Sequence, residues 1–285
     1  MTGRRLVVID TDLALGEPGE KVDDGCALAL ALASPELDVG LVTTVAGNVD
    51  VCTATTRATA FLDRLGRGDV AVVPGGGPDG AAAARALVTW ALDDPGELTV
   101  IALGPLSNLA AAFAAEVDVA SALAEVVVMG GRFLTPGPAE FNTRTDPWAV
   151  RTVLESGARL KFVGLDVTSR VALGAAEVDR LAAGPPTAGY LAEQIRARLA
   201  VLAPQGVSAC PMHDPLAVLA LTHRHLITWR AAWVAVEIGD GEERGQTTVC
   251  LLDDGAAHLA TCEVAVDVDA RAARDVLVER LLTLP

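Results

Sequence analysis

The chain has 285 residues, 51% of them hydrophobic, enough to bury a large core, and the length suits one α/β domain over residues 1–285. Its 22 basic against 37 acidic residues give a formal charge of -15, and without a Lys/Arg cluster to hold a phosphate backbone nucleic acid is excluded as a partner. The apolar run after Arg4 and Arg5 stops at Asp10, too short for a signal peptide, and no stretch reaches the roughly 18 apolar residues of a membrane span; the expectation is a soluble, cytoplasmic protein with no membrane partner.

Leu6 to Ile9 reads as a short apolar strand that runs into Asp10-Thr11-Asp12, and Asp24 to Ala33 as an Ala- and Leu-rich helix that stops at Ser34-Pro35. Val39 to Val45 is a strand ending at Gly47-Asn48, Cys52 to Leu65 a helix, and Val70 to Val73 a strand closed by the loop Pro74 to Pro78. Ala81 to Leu92 is helical, Leu98 to Leu103 a strand before Gly104-Pro105, Ser107 to Ala115 a helix, and Ala124 to Met129 a strand before Gly130-Gly131. Pro138 to Asn142 has neither helical nor strand periodicity and reads as a loop. Phe162 to Leu165 leads to Asp166, after which the alternation weakens. Glu177 to Ala183 and Tyr190 to Leu202 look helical, the second with Arg196 and Arg198 on a solvent face. Cys210-Pro211-Met212-His213-Asp214-Pro215 precedes a helix from Leu216 to Leu221, with Pro215 holding Asp214 extended. Trp233 to Ile238, Thr247 to Leu252 and Glu263 to Val268 read as strands, with a turn at Gly239 to Glu243 and a last helix from Ala270 to Leu282. The five cysteines (Cys26, Cys52, Cys210, Cys250, Cys262) are scattered, with no C-x-x-C, and read as small core residues in a reducing compartment.

This alternation argues for an α/β fold with an open, mostly parallel sheet flanked by helices. Ligands of such sheets bind beyond the carboxyl ends of the strands, which gathers Asp10, Asp12, Asn48, Gly104-Pro105, Gly130-Gly131 and Asp166 on one rim. Asp10, Asp12, Asp23 and Asp24 then crowd one strand end. Carboxylates so close raise one another's proton affinity unless a cation or a shared proton sits among them. A plainer reading gives Asp23 the capping of its helix and Asp12 the loop amides, which explains one or two of the four. His213 alone would be a hydrogen-bonded core histidine, and Glu140 and Asn142 could be turn formers or could face one side and bind a polyol.

Taken in order, Asp10-Thr11-Asp12, Asp23-Asp24, Thr43 to Asn48, Val128 to Gly131, Ala139 to Asn142 with Asp146-Pro147, Val163 to Asp166 and His213-Asp214-Pro215 resemble the inosine-uridine-preferring nucleoside hydrolase family. The resemblance implies a Rossmann-like nucleoside hydrolase fold, a homodimer or homotetramer, and a calcium-dependent N-ribohydrolase of ribonucleosides. Carried over by motif, Asp12, Asp24, Asp214 and the carbonyl of Leu103 would ligate calcium, with Asp12 also taking the proton of the attacking water. Asp23, Asn48, Glu140 and Asn142 would hold the ribose hydroxyls and Met129 would pack beneath the sugar. His213 would protonate the leaving base, and Asp10 and Asp166 would support from behind. Cleavage of an N-glycosidic bond builds oxocarbenium-like positive charge, which a negative, preorganised pocket stabilises.

Two places depart from the family pattern. Leu13 to Val22 separates Asp12 from the acidic pair, seven residues more than usual, and Gly75 to Gly80 runs almost directly into helix where relatives carry a longer segment with a histidine. The inserted loop, near Glu17 to Lys21, is expected to cover part of the mouth that the shortened segment leaves open. Two other readings compete: a haloacid-dehalogenase-like phosphohydrolase with Asp10 as nucleophile, for which Lys161 stands at the wrong end of its strand, and a non-catalytic nucleoside-binding protein on the same fold.

Overall fold

The computed structural model describes residues 3–76 and 81–285. The first half alternates β1 (Arg5–Thr11), α1 (Asp23–Ala33), β2 (Leu37–Thr44), α2 (Val51–Arg64), β3 (Ala71–Pro74), α3 (Ala82–Asp93), β4 (Thr99–Ala102), α4 (Ser107–Ala115), α5 (Val119–Ala122) and β5 (Glu125–Met129). There follow α6 (Phe141–Thr145), α7 (Pro147–Leu154), β6 (Leu160–Val163), α8 (Leu165–Thr168), β7 (Ala172–Leu173), α9 (Ala175–Ala182), α10 (Pro186–Leu202) and β8 (Cys210–Pro211). The chain ends with α11 (His213–Thr222), β9 (Ile227–Val236), β10 (Thr247–Leu251), β11 (Cys262–Val268) and α12 (Ala270–Leu281).

Nine strands form one sheet in the order β10-β9-β11-β6-β5-β4-β1-β2-β3. Pairing is parallel from β3 through β11, and β9 runs antiparallel to both of its neighbours. The mostly parallel sheet is as expected; its antiparallel margin comes from the last three large strands, which follow one another with no α-helix between them. Alternation along the central strands sends side chains to opposite faces. Val7, Ile9, Ile101 and Val127 pack in one apolar core with α1, α2 and α9 to α12; Val8, Val100, Val126 and Val128 pack in another with α3, α4, α5 and α7. β1 is the switch point: the chain moves to one side through β2 and β3 and to the other through β4, β5 and β6, leaving a crevice above its carboxyl end.

Local chemistry sets the boundaries. Ser34 ends α1 by donating its hydroxyl to the Leu30 carbonyl at 2.7 Å, and Pro35 disfavours helix at the residue before it. Some expectations need correction. Pro138 to Asn142 is not all loop, because Glu140 caps α6 and its carboxylate accepts from Asn142 N at 2.9 Å and Thr143 N at 3.1 Å. Pro215 does not hold Asp214 extended; both lie in the first turn of α11, where a proline removes no intrahelical bond. Arg198 is half-buried rather than solvated and donates to the Gly19 carbonyl at 3.1 Å. Cys52 and Cys250 are exposed, while Cys26, Cys210 and Cys262 are core residues. Of the shortened connection, Gly75 and Gly76 follow β3, and Gly77 to Gly80 lie outside the described residues.

Candidate active site

The end of β1 buries Asp10 and Asp12 completely. Asp10 Oδ1 accepts from Thr43 Oγ1 at 2.6 Å and from Asn108 Nδ2 at 2.7 Å, while its Oδ2 is buried without a partner; burial pushes its carboxyl up to about 7. Asp12 Oδ2 accepts from the Asn48 amide at 2.6 Å, and Oδ1 is likewise buried and unpartnered. Two glycines permit this packing: a Cβ on Gly47 would stand 2.1 Å from Asp12 Oδ2, and one on Gly104 would stand 2.6 Å from Val45 Cγ1 and 3.3 Å from Asp12 Cβ.

The start of α1 brings the second acidic pair. Asp23 is the first helical residue and makes no capping bond, contrary to the plainer reading of it. Asp24 accepts from Thr11 Oγ1 at 2.5 Å and from Asn48 Nδ2 at 3.1 Å. Asp214 arrives from the first turn of α11, and oxygens of Asp23, Asp24 and Asp214 all lie within 4.8 Å of one another. At an effective dielectric near 20, two unit charges at that distance repel by about 3.5 kcal/mol, so three such pairs call for protons or a cation. Burial first, then the neighbouring acids, hold Asp24 and Asp214 well above the carboxylate range; burial also raises Asp12.

Above this knot lies a cavity of about 120 Å³, lined by Lys21, Asp23, Asn48, Leu103, Met129, Glu140, Phe141, Asn142, Leu165, His213 and Asp214. It is well below the roughly 300–1,000 Å³ of pockets that enclose a drug-sized ligand, on the scale of a pentose. Its floor is Leu103, Met129, Glu140, Asn142, Asp23 and Asp214, all buried. Asn142 Nδ2 donates to the Leu103 carbonyl at 2.7 Å and to the Met129 carbonyl at 3.2 Å, tying the ends of β4 and β5 together. Glu140 Oε2 also accepts from Gly131 N at 3.2 Å; burial raises its pKa and these amide bonds oppose the rise. His213 Nδ1 is 2.8 Å from Thr168 Oγ1, and burial lowers its pKa against the pull of Asp23.

Of the residues singled out in the sequence, Asp23, Asn48, Leu103, Met129, Glu140, Asn142, His213 and Asp214 therefore line one cavity, with Asp12 and Asp24 in the acidic knot and Asp10 behind it. Asp166 stands apart. It accepts from the amides of Phe133, Leu134 and Thr135 and from Thr135 Oγ1 at 2.7–2.9 Å; half-burial pushes its pKa up, and these bonds outweigh that and bring it down. Sequence reasoning missed Asn108, Thr168 and the wall residues Phe141 and Leu165. The signal for Asn108 was a helix opening directly after the Gly104-Pro105 turn. A larger cleft, about 810 Å³, opens at the amino ends of the strands, but its buried Lys161 is already paired with Glu125, and no acids converge there without a cation.

The mostly parallel sheet thus carries buried carboxylates beneath a small cavity at its switch point, where ligands of α/β sheets bind. The chain belongs to the inosine-uridine preferring nucleoside hydrolase family of N-glycosidases, whose model matches residues 7–275. It is 31% identical to the pyrimidine-specific ribonucleoside hydrolase RihA of Citrobacter koseri, covering 93% of this chain and 96% of that protein. It is 32% identical to the probable uridine nucleosidase 2 of Arabidopsis thaliana, covering 98% of each. The solved structure of a plant nucleoside hydrolase, the PpNRh1 enzyme, superposes with a TM-score of 0.88 at 29% identity, covering 98% of this chain and 99% of that one. This family membership removes the phosphohydrolase reading, as does the position of Lys161 at the far end of the sheet.

Proposed function

We propose that the protein hydrolyses the N-glycosidic bond of ribonucleosides to free base and ribose with the help of calcium, as one catalytic domain over residues 1–285 acting in the cytoplasm as a homodimer or homotetramer. The observation that carries the reading is the buried carboxylate knot under a pentose-sized cavity. The residues present suit a hard cation: the donors are all oxygen, and Asp12 Oδ1 is a buried acceptor without a partner. Asp12, Asp24, Asp214 and the Leu103 carbonyl would hold calcium. When bound, calcium would orient the attacking water, raise its acidity and meet the 2′- and 3′-hydroxyls of the ribose.

The rest is the work of the chain. Asp12 accepts the proton of the water, and the Asn48 amide and Gly47 fix the carboxylate that does so. Asp23, on the cavity wall, takes ribose hydroxyls with Asn48, Glu140 and Asn142; Met129 supports the ring, and the buried negative field favours the oxocarbenium-like transition state over the neutral nucleoside. Thr168 Oγ1, 2.8 Å from His213 Nδ1, fixes the ring; as the acid for the departing base His213 acts as the imidazolium, whose Nδ1–H donates to Thr168 and whose Nε2–H goes to the base. Asp10 and Asp166 hold the scaffold, one against Thr43 and Asn108, the other against the segment 133–135.

Incubation with uridine, cytidine, inosine and guanosine in calcium tests this directly. Free base and ribose are expected in equal amounts, with uridine first on the panel because the chain resembles a pyrimidine-specific ribonucleoside hydrolase and a probable uridine nucleosidase. Binding of nucleosides without release of ribose would instead establish a non-catalytic nucleoside-binding protein on this fold.

A further inference from the structure

A ribose seated in the cavity of about 120 Å³ would place the leaving base at its rim. There the half-buried or exposed residues are Phe141 and Leu165, which are apolar, and Asn48, His213 and Lys21, which are polar. Lys21 comes from the loop between Asp12 and α1. That loop is firmly tied: Leu13, Ala14 and Leu15 are buried, Arg57 donates to the Ala14 carbonyl at 2.6 Å and pairs with Glu20, and Arg198 donates to the Gly19 carbonyl. Gly19 adopts φ +92°, where any side chain would also strike Val201, so the turn that delivers Lys21 is fixed by the sequence. The ammonium Nζ lies 4.5 Å from the centroid of the Phe141 ring. Among the described residues no carboxylate oxygen comes within 4.0 Å of it. A cation parked on an aromatic face, on the wall of an acidic pocket and yet without an ion pair, has its N–H donors available to a ligand.

We infer that Lys21 is a catalytic residue that binds the leaving base, and that it suits the enzyme to pyrimidine ribosides, whose O2 is carried by the carbon bonded to the glycosidic nitrogen. The inference rests on the hydrolase reading above. As C1′–N1 breaks, its electron pair leaves with the base and the resulting charge spreads onto O2. Lys21 donates a hydrogen bond to that oxygen and keeps its own proton. The hydroxyl of water joins C1′, its proton passes to Asp12, and the base anion takes a proton from His213 Nε2, which solvent replaces from Asp12. A fixed cation whose help grows as charge develops lowers the barrier without tightening the ground state.

The test compares wild type, Lys21→Met and Lys21→Arg on uridine and on 4-nitrophenyl β-D-ribofuranoside, whose nitrophenolate departs without assistance, with calcium affinity measured by titration calorimetry. Lys21→Met should lower kcat/KM about 100-fold more on uridine than on the nitrophenyl riboside, Lys21→Arg should recover most of that difference, and calcium should bind Lys21→Met no more weakly than wild type. Equal losses on the two substrates, or an unchanged uridine rate, overturn the role of Lys21 while leaving the hydrolase reading intact. A wild type that cleaves neither substrate in calcium takes both down.

Discussion

Gly47→Ala is the smallest change that reaches the chemistry. The added Cβ would lie 2.1 Å from Asp12 Oδ2 and 2.9 Å from both Asp12 Cγ and Pro105 Cδ. Ordinary contact begins near 3.4 Å, so the carboxylate oxygen must retreat by about 1.3 Å, the difference of the two distances. Retreat is obstructed, because Asp12 is fully buried. The 2.6 Å bond from the Asn48 amide would break as well, a charged hydrogen bond worth about 1.5–3 kcal/mol. A misplacement of about 1 Å in a catalytic group costs about 100-fold in rate. The expected outcome is a folded protein whose Tm is lower by several degrees, with kcat/KM for uridine down about 100-fold and calcium bound more weakly. The assays are ribose release, calcium titration calorimetry and a thermal melt on one preparation. A Gly47→Ala protein with wild-type kcat/KM and calcium affinity would refute the argument that Asp12 is held by these contacts for a purpose.

Two further outcomes follow from the same site. Burial raises Asp10 from 3.8 to about 7, so between those values the folded protein keeps a proton that the unfolded chain has released; its contribution to stability is present below pH 4 and is lost as pH rises toward 7, about 4 kcal/mol at 1.36 kcal/mol per pKa unit. Asp24 and Asp214 shift in the same direction, so the metal-free protein should melt lower at pH 8 than at pH 5, and calcium should raise Tm more at pH 8; a metal-free Tm that climbs over this range contradicts the buried, protonated knot. Deleting residues 16–21 removes Lys21 from the rim and should lower kcat/KM on uridine about 100-fold, whereas unchanged Michaelis constants and turnover for every accepted nucleoside would mean that the loop does not serve the mouth.

Much of the fold is visible in the sequence because apolar runs of four to six residues alternate with Ala- and Leu-rich segments, and that pattern dictates parallel crossovers. The strand-end rule then gathers Asp12, Asn48, Gly104 and Gly130, residues far apart in the chain, because a parallel sheet presents the carboxyl ends of β1, β2, β4 and β5 together. What escaped is short or depends on tertiary partners. The five-residue α6 has too few turns for periodicity, and only the cap made by Glu140 marks it. Asp214-Pro215 is written identically in an extended segment and in a first helical turn. Lys21 and Arg198 are surface-type residues by composition, and only the packing of the 13–22 loop between α2 and α10 turns one into the cavity and buries half of the other. Asp166 follows a strand like the other acids, yet four donors from residues 133–135 capture it.

The central claim is that Asp12 is at once a calcium ligand and the base for the attacking water, and Asp12→Asn measures both properties. The side chain is nearly isosteric and fully buried, so the fold should survive while the charge is lost. Uridine hydrolysis at saturating calcium should fall to background, and calorimetry should show weaker calcium binding than in wild type; an Asp12→Asn protein that releases ribose at close to the wild-type rate would contradict the account.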